Sequence, residues 1–218
     1  MKILVKYPTR SRPHKFLKNL DEYIKTSTSN LTFIISMDSD DITMNNPEMI
    51  NKIESKKSER INILYFFGYP NGKINAINRD IPSEGWDILV ATADDMIPYQ
   101  DWDKVVIADF SDNDLFKAIN YNTDPRLGVP ENLITLPVMG KKLYDYFGYI
   151  YHKDYRSEFC DGEQTLVFKR LGVLTYKNQR PILHDWFGNQ DALMGKNIRE
   201  GNMDRAVYDR REKEGFPK

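Results

Sequence analysis

The order of hydrophobic periodicities in the first hundred residues constrains this chain more than any other feature. Ile3 to Tyr7 is a short apolar run that reads as a strand, ended by Pro8-Thr9-Arg10-Ser11-Arg12-Pro13. Phe16, Leu17, Leu20 and Ile24 then recur at helical spacing, which predicts an amphipathic helix over 13–26. Leu31 to Ser36 is a second strand. Asn46-Pro47 has the form of an N-cap followed by proline at the first helical position, and Ile50 and Ile53 give the following helix its stripe. Ile61 to Phe67 is a third strand, apolar enough to predict that both of its faces are covered. After the loop Gly68 to Gly72, Lys73 to Ile81 reads as a short helix, and Ile88 to Ala93 as a fourth strand ending at Asp94-Asp95. This β-α-β-α-β-α-β order predicts an α/β fold with a doubly wound, mostly parallel sheet and helices on both faces.

The second half is less regular. Leu115 to Ile119, Leu133 to Pro137, Val173 to Tyr176 and Pro181 to Leu183 are strand candidates. Lys141 to Phe147, Gly162 to Leu171 and Asn202 to Lys213 are helix candidates. No Pro/Gly/Ser linker separates the halves, so the expectation is one domain over 1–218, with residues 1–100 as a ligand-binding half and 101–218 as a second half and tail.

Composition excludes several classes. The 31 basic and 32 acidic residues leave a net charge of −1, which gives no global field for nucleic acid or an anionic membrane, so no stable nucleic-acid binding is expected. The single cysteine, Cys160, cannot form an intramolecular disulfide, and the N-terminal apolar run is too short for a signal peptide. No stretch approaches the roughly 20 apolar residues of a membrane span. A cytoplasmic location is expected.

Ligands of doubly wound sheets bind at the carboxyl ends of the strands, so strand-end residues carry the functional reading. Asp94 and Asp95 are hard oxygen ligands of the kind that bind Mg²⁺ or Mn²⁺, although acidic pairs in turns are common without a metal. In Met37-Asp38-Ser39-Asp40-Asp41 a carboxylate is placed to accept from a base or ribose, or to cap a turn. Lys73 and Asn75 stand in the first turn after Gly72, where a helix terminus attracts phosphate. Arg10 and Arg12 are rigid forks for phosphate, or surface charges. Glu158, Asp161 and Glu163 compete as a general base ahead of a helix, with capping as the bland alternative for Asp161 and a dipole role for Glu163. His184 is a metal ligand or an ordinary structural histidine.

Each signal is weak alone, but their order resembles the GT-A glycosyltransferases, especially compact bacterial and phage relatives of family 2, over most of residues 1–185. Lys6-Tyr7-Pro8-Thr9-Arg10 resembles the segment that wraps the donor nucleotide, and Asp38 the acid that contacts its base. Gly72-Lys73 with Asn75 and Asn78 is similar to the Gly-Lys-x-x-Ala-x-Asn stretch ahead of the metal strand. Ala93-Asp94-Asp95 resembles the Asp-x-Asp region, with Thr92 where a strict motif ending at Asp94 has an acid. Asp161-Gly162-Glu163 corresponds to the catalytic base segment and His184 to a late metal ligand. The resemblance implies a GT-A-like fold and transfer of a sugar from a UDP- or GDP-sugar to an acceptor hydroxyl, assisted by Mn²⁺ or Mg²⁺. The implied site comprises Pro8, Thr9, Arg10, Arg12, Asp38, Lys73, Asn78 and Asp94 for the nucleotide, Asp94, Asp95 and His184 for the metal, and Asp161 or Glu163 as base. A single base ahead of a helix suits direct displacement with inversion. The alternatives are a nucleotidyltransferase, which needs a glycine-rich loop where residues 8–13 have no glycine, and a catalytically degenerate sugar- or nucleotide-binding module.

Overall fold

The structure, a computed structural model, describes residues 1–124, 129–185 and 192–217. The predicted alternation is present, with strands β1 (Ile3–Thr9), β2 (Leu31–Asp38), β3 (Ile61–Gly68) and β4 (Ile88–Ala91) separated by helices α1 (Pro13–Lys25), α2 (Pro47–Glu54) and α3 (Gly72–Asn78). Pro13 opens α1 and Pro47 opens α2, and the Asn46 side chain accepts from the Met49 N–H as an N-cap. Phe16, Asn19, Leu20 and Tyr23 form the buried stripe of α1.

Two elements escaped the sequence pattern. Met96–Pro98 is a short strand, β5, and Trp102–Asp109 is a helix, α4, whose Trp102 and Val106 are buried. The chain continues through β6 (Ala118–Tyr121), a 3₁₀ turn at Pro130–Asn132, β7 (Val138–Gly140), α5 (Lys141–Phe147), α6 (Cys160–Arg170), β8 (Leu174–Lys177), β9 (Ile182–His184) and α7 (Ala192–Lys213). The strand expected over Leu133 to Pro137 lies instead at Val138–Gly140, and the final helix begins ten residues before the predicted Asn202.

Seven strands form one sheet in the order β3-β2-β1-β4-β7-β6-β8, drawn from both halves of the chain. β3, β2, β1 and β4 run parallel, as do β6 and β8, while β7 pairs antiparallel with both β4 and β6. Strand alternation divides the core between the two faces. Val5, Tyr7, Phe33, Ile35 and Val90 pack with Phe16, Tyr23, Met49, Ile53 and Trp102 of α1, α2 and α4. Leu4, Ile34, Leu89 and Ala91 pack with Ile74, Leu143 and Phe168 of α3, α5 and α6. The mostly parallel, doubly wound sheet with helices on both faces is therefore as expected.

β3 departs from its reading. It is the sheet edge, and Leu64 and Phe66 are exposed on one face. Its apolar run reflects an edge strand covered on one side rather than burial on both. Among the described residues, no helix is long and apolar enough to cross a membrane.

Candidate active site

A cleft of about 450 Å³ opens at the carboxyl ends of β1, β2 and β4. Pro8, Thr9, Arg10 and Arg12 line one side of it, Asp38, Lys73, Asp94 and Asp95 contribute, and Asp161 and His184 line it from the second half. Ten of the twelve residues of the site that the resemblance implies thus line one cavity.

The strand ends determine how they meet. Asp38 closes β2, and its Oδ2 accepts from Arg10 Nη1 at 2.8 Å while Oδ1 lies 3.3 Å from Arg79 Nη1. Arg10 also grips Asp40, Nη1–Oδ1 at 2.5 Å and Nη2–Oδ2 at 3.0 Å, and this pairing raises the Arg10 pKa.

Asp94 and Asp95 follow β4 on a segment braced by a buried amide. Asn19 Nδ2, from α1, lies 2.9 Å from the Ala93 carbonyl and 3.1 Å from the Met96 carbonyl and the Tyr7 hydroxyl. Burial raises the Asp94 pKa, Arg12 opposes this through an ion pair of 3.0 Å, and neighbouring Asp95 adds to it. Thr92, where a strict motif would place an acid, is buried and its hydroxyl lies 2.6 Å from that of Tyr23. Thr92 also lines the cleft.

β5 explains why His184 is here. Its antiparallel ladder with β9 pairs Met96 with His184, and the Asp185 N–H donates to the Asp95 carbonyl at 2.7 Å. His184 Nε2 then lies 3.8 Å from Asp95 Oδ2, and Nδ1 lies 3.6 Å from Asp124 Oδ2. Asp124 is buried, lines the cleft and was missed from sequence, because Asn122-Thr123-Asp124-Pro125 reads only as a turn.

Asp161 lies inside the first turn of α6 rather than before the helix, because α6 starts two residues earlier than predicted. Burial raises its pKa, while the Gly162 N–H and the Lys73 ammonium act in the opposite direction. Helix-terminal placement therefore does not dominate its titration. Glu158 also lines the cleft, 3.5 Å from Lys73 Nζ, and packs against Gly201 of α7, where a Cβ would come within 2.3 Å of Glu158 Cγ. The backbone N–H groups of Arg156, Ser157 and Glu158 all donate to Asp204 of α7, at 2.6–3.1 Å.

Two sequence assignments do not reach the cleft. Glu163 is buried beneath it in a two-pronged ion pair with Arg211 of α7, at 2.7 and 2.8 Å, and accepts from the Tyr155 hydroxyl at 2.7 Å. Its carboxylate is engaged in joining α6 to α7, away from the cleft that Asp161 lines. Asn78 accepts from the Ile150 and Tyr151 N–H groups and donates to the Tyr151 carbonyl, so it braces a loop rather than a nucleotide. The N-terminus of α3 is also less open than expected, since the Ile74 N–H donates to the Arg156 carbonyl at 3.2 Å.

No protein-family model matches the chain, and no curated protein matches it in sequence. Solved structures do match. Mannosyltransferase PcManGT from Pyrobaculum calidifontis, in complex with GDP-Man and Mn²⁺, superposes with a TM-score of 0.70 at 14% identity, over 90% of this chain and 60% of that one. The chain has a GT-A-like fold. S. aureus TarS 1-349 in complex with UDP gives a TM-score of 0.63 at 12% identity, over 84% of this chain and 60% of that one. A crystal structure of S. aureus TarS matches over 84% of this chain at 12% identity and a TM-score of 0.61. This chain spans 36% of that TarS structure and 60% of the two shorter chains. At these identities the GT-A-like resemblance is one of fold.

Proposed function

We propose that the chain is a glycosyltransferase that moves a sugar from a UDP- or GDP-sugar to an acceptor hydroxyl. The observation that carries this reading is the convergence of Arg10, Arg12, Asp38, Lys73, Asp94, Asp95 and His184 on one strand-end cleft that Asp161 also lines. The matched structures support it, since S. aureus TarS was solved with UDP and with UDP-GlcNAc, and PcManGT with GDP-Man and Mn²⁺.

In this reading Asp38 accepts from the base, and Arg10, Arg12 and Lys73 offset the diphosphate charge. Among the described residues Thr9 Oγ1 is buried without a hydrogen-bond partner, which suits a hydroxyl held for a bound nucleotide. The donor set fits a divalent cation in kind, with the Asp95 carboxylate and His184 imidazole adjacent and Asp94 beside them. Among the described residues no three His, Cys, Asp or Glu are arranged as a ligand set. Asp95 and His184, with Asp94 next in the chain, are the residues that would hold Mn²⁺ or Mg²⁺, and donor phosphates would complete the ligand set, the usual mode for such ions. When bound, the ion neutralises charge on the leaving diphosphate.

Asp161 takes the proton from the acceptor hydroxyl as it attacks the anomeric carbon, and a carboxylate whose pKa is raised by burial is the stronger base. One base and direct displacement give inversion at an oxocarbenium-like centre. The buried thiol of Cys160 suits a reducing, cytoplasmic setting.

Donor hydrolysis of UDP- and GDP-sugars, with and without Mn²⁺, tests the reading. Metal-stimulated release of nucleoside diphosphate is expected, and no release from any donor removes it. The Arg12–Asp94 ion pair at 3.0 Å favours a second reading, a binding-only module in which Arg12 takes the metal's place. Nucleotide binding that is indifferent to Mn²⁺, without turnover, is the outcome that selects it.

A further inference from the structure

Lys6 is a completely buried amine on the α3 side of β1, among apolar neighbours such as Leu4 and Ile34. A buried ammonium persists only when acceptors hold it. Its Nζ donates to Ser36 Oγ and, at 2.7 Å, to the Arg79 carbonyl. Ser36 donates its own proton to Asp80 Oδ2 at 2.6 Å. Asp80 has φ +67°, a left-handed turn conformation that aspartate adopts more readily than most side chains, and its carboxylate lies 3.2 Å from Arg79 Nε. Arg79 reaches outward from this turn, Nη1 to Asp38 and Nη2 to the Met37 carbonyl. Its guanidinium lies against Gly68, where a Cβ would come within 2.6 Å of Arg79 Cζ.

We propose that Lys6 is a positioning residue for nucleotide binding, fixing the Arg79–Asp80 turn so that Arg79 holds the Asp38 carboxylate ready for the base. This rests on the reading of Asp38 as the base-contacting acid. Arg79 and Arg10 each take one Asp38 oxygen. Without Arg79 the carboxylate is left to Arg10, whose fork already spans Asp40. Burial lowers the Lys6 pKa to about 7, Asp80 opposes that shift and Arg79 adds to it. An ionisable amine thus sits at a position where methionine would fill the same space without desolvation.

The experiment titrates UDP and GDP with Mn²⁺ into wild type, Lys6→Met and Gly68→Ala, with donor kinetics and crystal structures of the variants. Lys6→Met is expected to weaken the bound nucleotide about tenfold, the loss of one charge-assisted contact. KM for the donor should rise in step while kcat stays within about twofold, a split that general loss of packing would not give. Gly68→Ala, which pushes on Arg79 from the opposite side, should reproduce the effect, and Arg79 should leave Asp38 in both crystals. If Lys6→Met does not fold, Gly68→Ala and Ser36→Ala decide. Unaltered affinity, or Arg79 still bound to both Asp38 and the Met37 carbonyl in Lys6→Met, overturns the role of Lys6 while the nucleotide site stands. Wild type that binds neither nucleotide overturns the site and the role together.

Discussion

Asp161 and Glu163 are two residues apart on α6, and their surroundings separate them. Asp161 lines the cleft, whereas Glu163 is closed off by Arg211 and Tyr155. Asp161→Asn is expected to lower the transfer rate at least about a hundredfold with donor affinity within a few-fold, the lower range for removing a general base. Because a base must be ionised and burial raises the Asp161 pKa, the wild-type rate should fall as pH drops through that raised value, and this acid limb should vanish in the Asn variant. A pH–rate profile of both proteins checks it. Glu163→Gln, by contrast, leaves the buried Arg211 poorly paired and should destabilise the fold by about 3 kcal/mol, read from denaturant melts. A stable but inactive Glu163→Gln would restore it as the base. Lys6 gives a third test. The unfolded chain holds that proton up to about 10.5 and the folded chain releases it near 7, so the unfolded state binds more protons between these values. Stability should therefore rise with pH across that window in wild type and lose that component in Lys6→Met, as followed by melting temperature.

At the level of elements, the site depends on braces that periodicity does not reveal. α1 was legible from Phe16, Leu20 and Ile24, but Asn19 on the same face is a polar residue aimed at the Ala93 and Met96 carbonyls. Asn19→Ala is expected to destabilise by about 2 kcal/mol, the range for leaving buried carbonyls unsatisfied, and to weaken nucleotide binding through the Asp94–Asp95 segment. Chemical denaturation with parallel calorimetry measures both, and unaltered affinity would show that α1 does not brace the acidic pair. Strand β5, only three residues long, gave no period to detect, yet its ladder with β9 is what carries His184 to Asp95. Asp124 was hidden for a related reason, since a turn-forming Asn-Thr-Asp-Pro stretch looks the same whether or not it faces a cleft.

Over the whole molecule, the parallel half of the sheet was legible because each strand is followed by a helix of clear period, and right-handed crossovers then fix strand neighbours. The antiparallel insertion of β7 between β4 and β6 was not, because pairing between distant short strands leaves no local mark. The strand-end rule nevertheless brought Arg10, Arg12, Asp38, Asp94 and Asp95 together, since parallel strands deliver all their carboxyl ends to one side. Asn78 was implied as a ligand by the resemblance alone, and its side chain is engaged with the 150–151 backbone. The central claim is that this side of the sheet is a metal-assisted nucleotide-sugar site. Calorimetric titration of UDP and GDP into wild type and the Asp94→Ala/Asp95→Ala double variant, each with and without Mn²⁺, tests it most directly. The account predicts that one nucleotide binds wild type more tightly with Mn²⁺ and that the metal increment disappears in a double variant that remains folded. Wild-type affinity and the same Mn²⁺ increment in the double variant would contradict it.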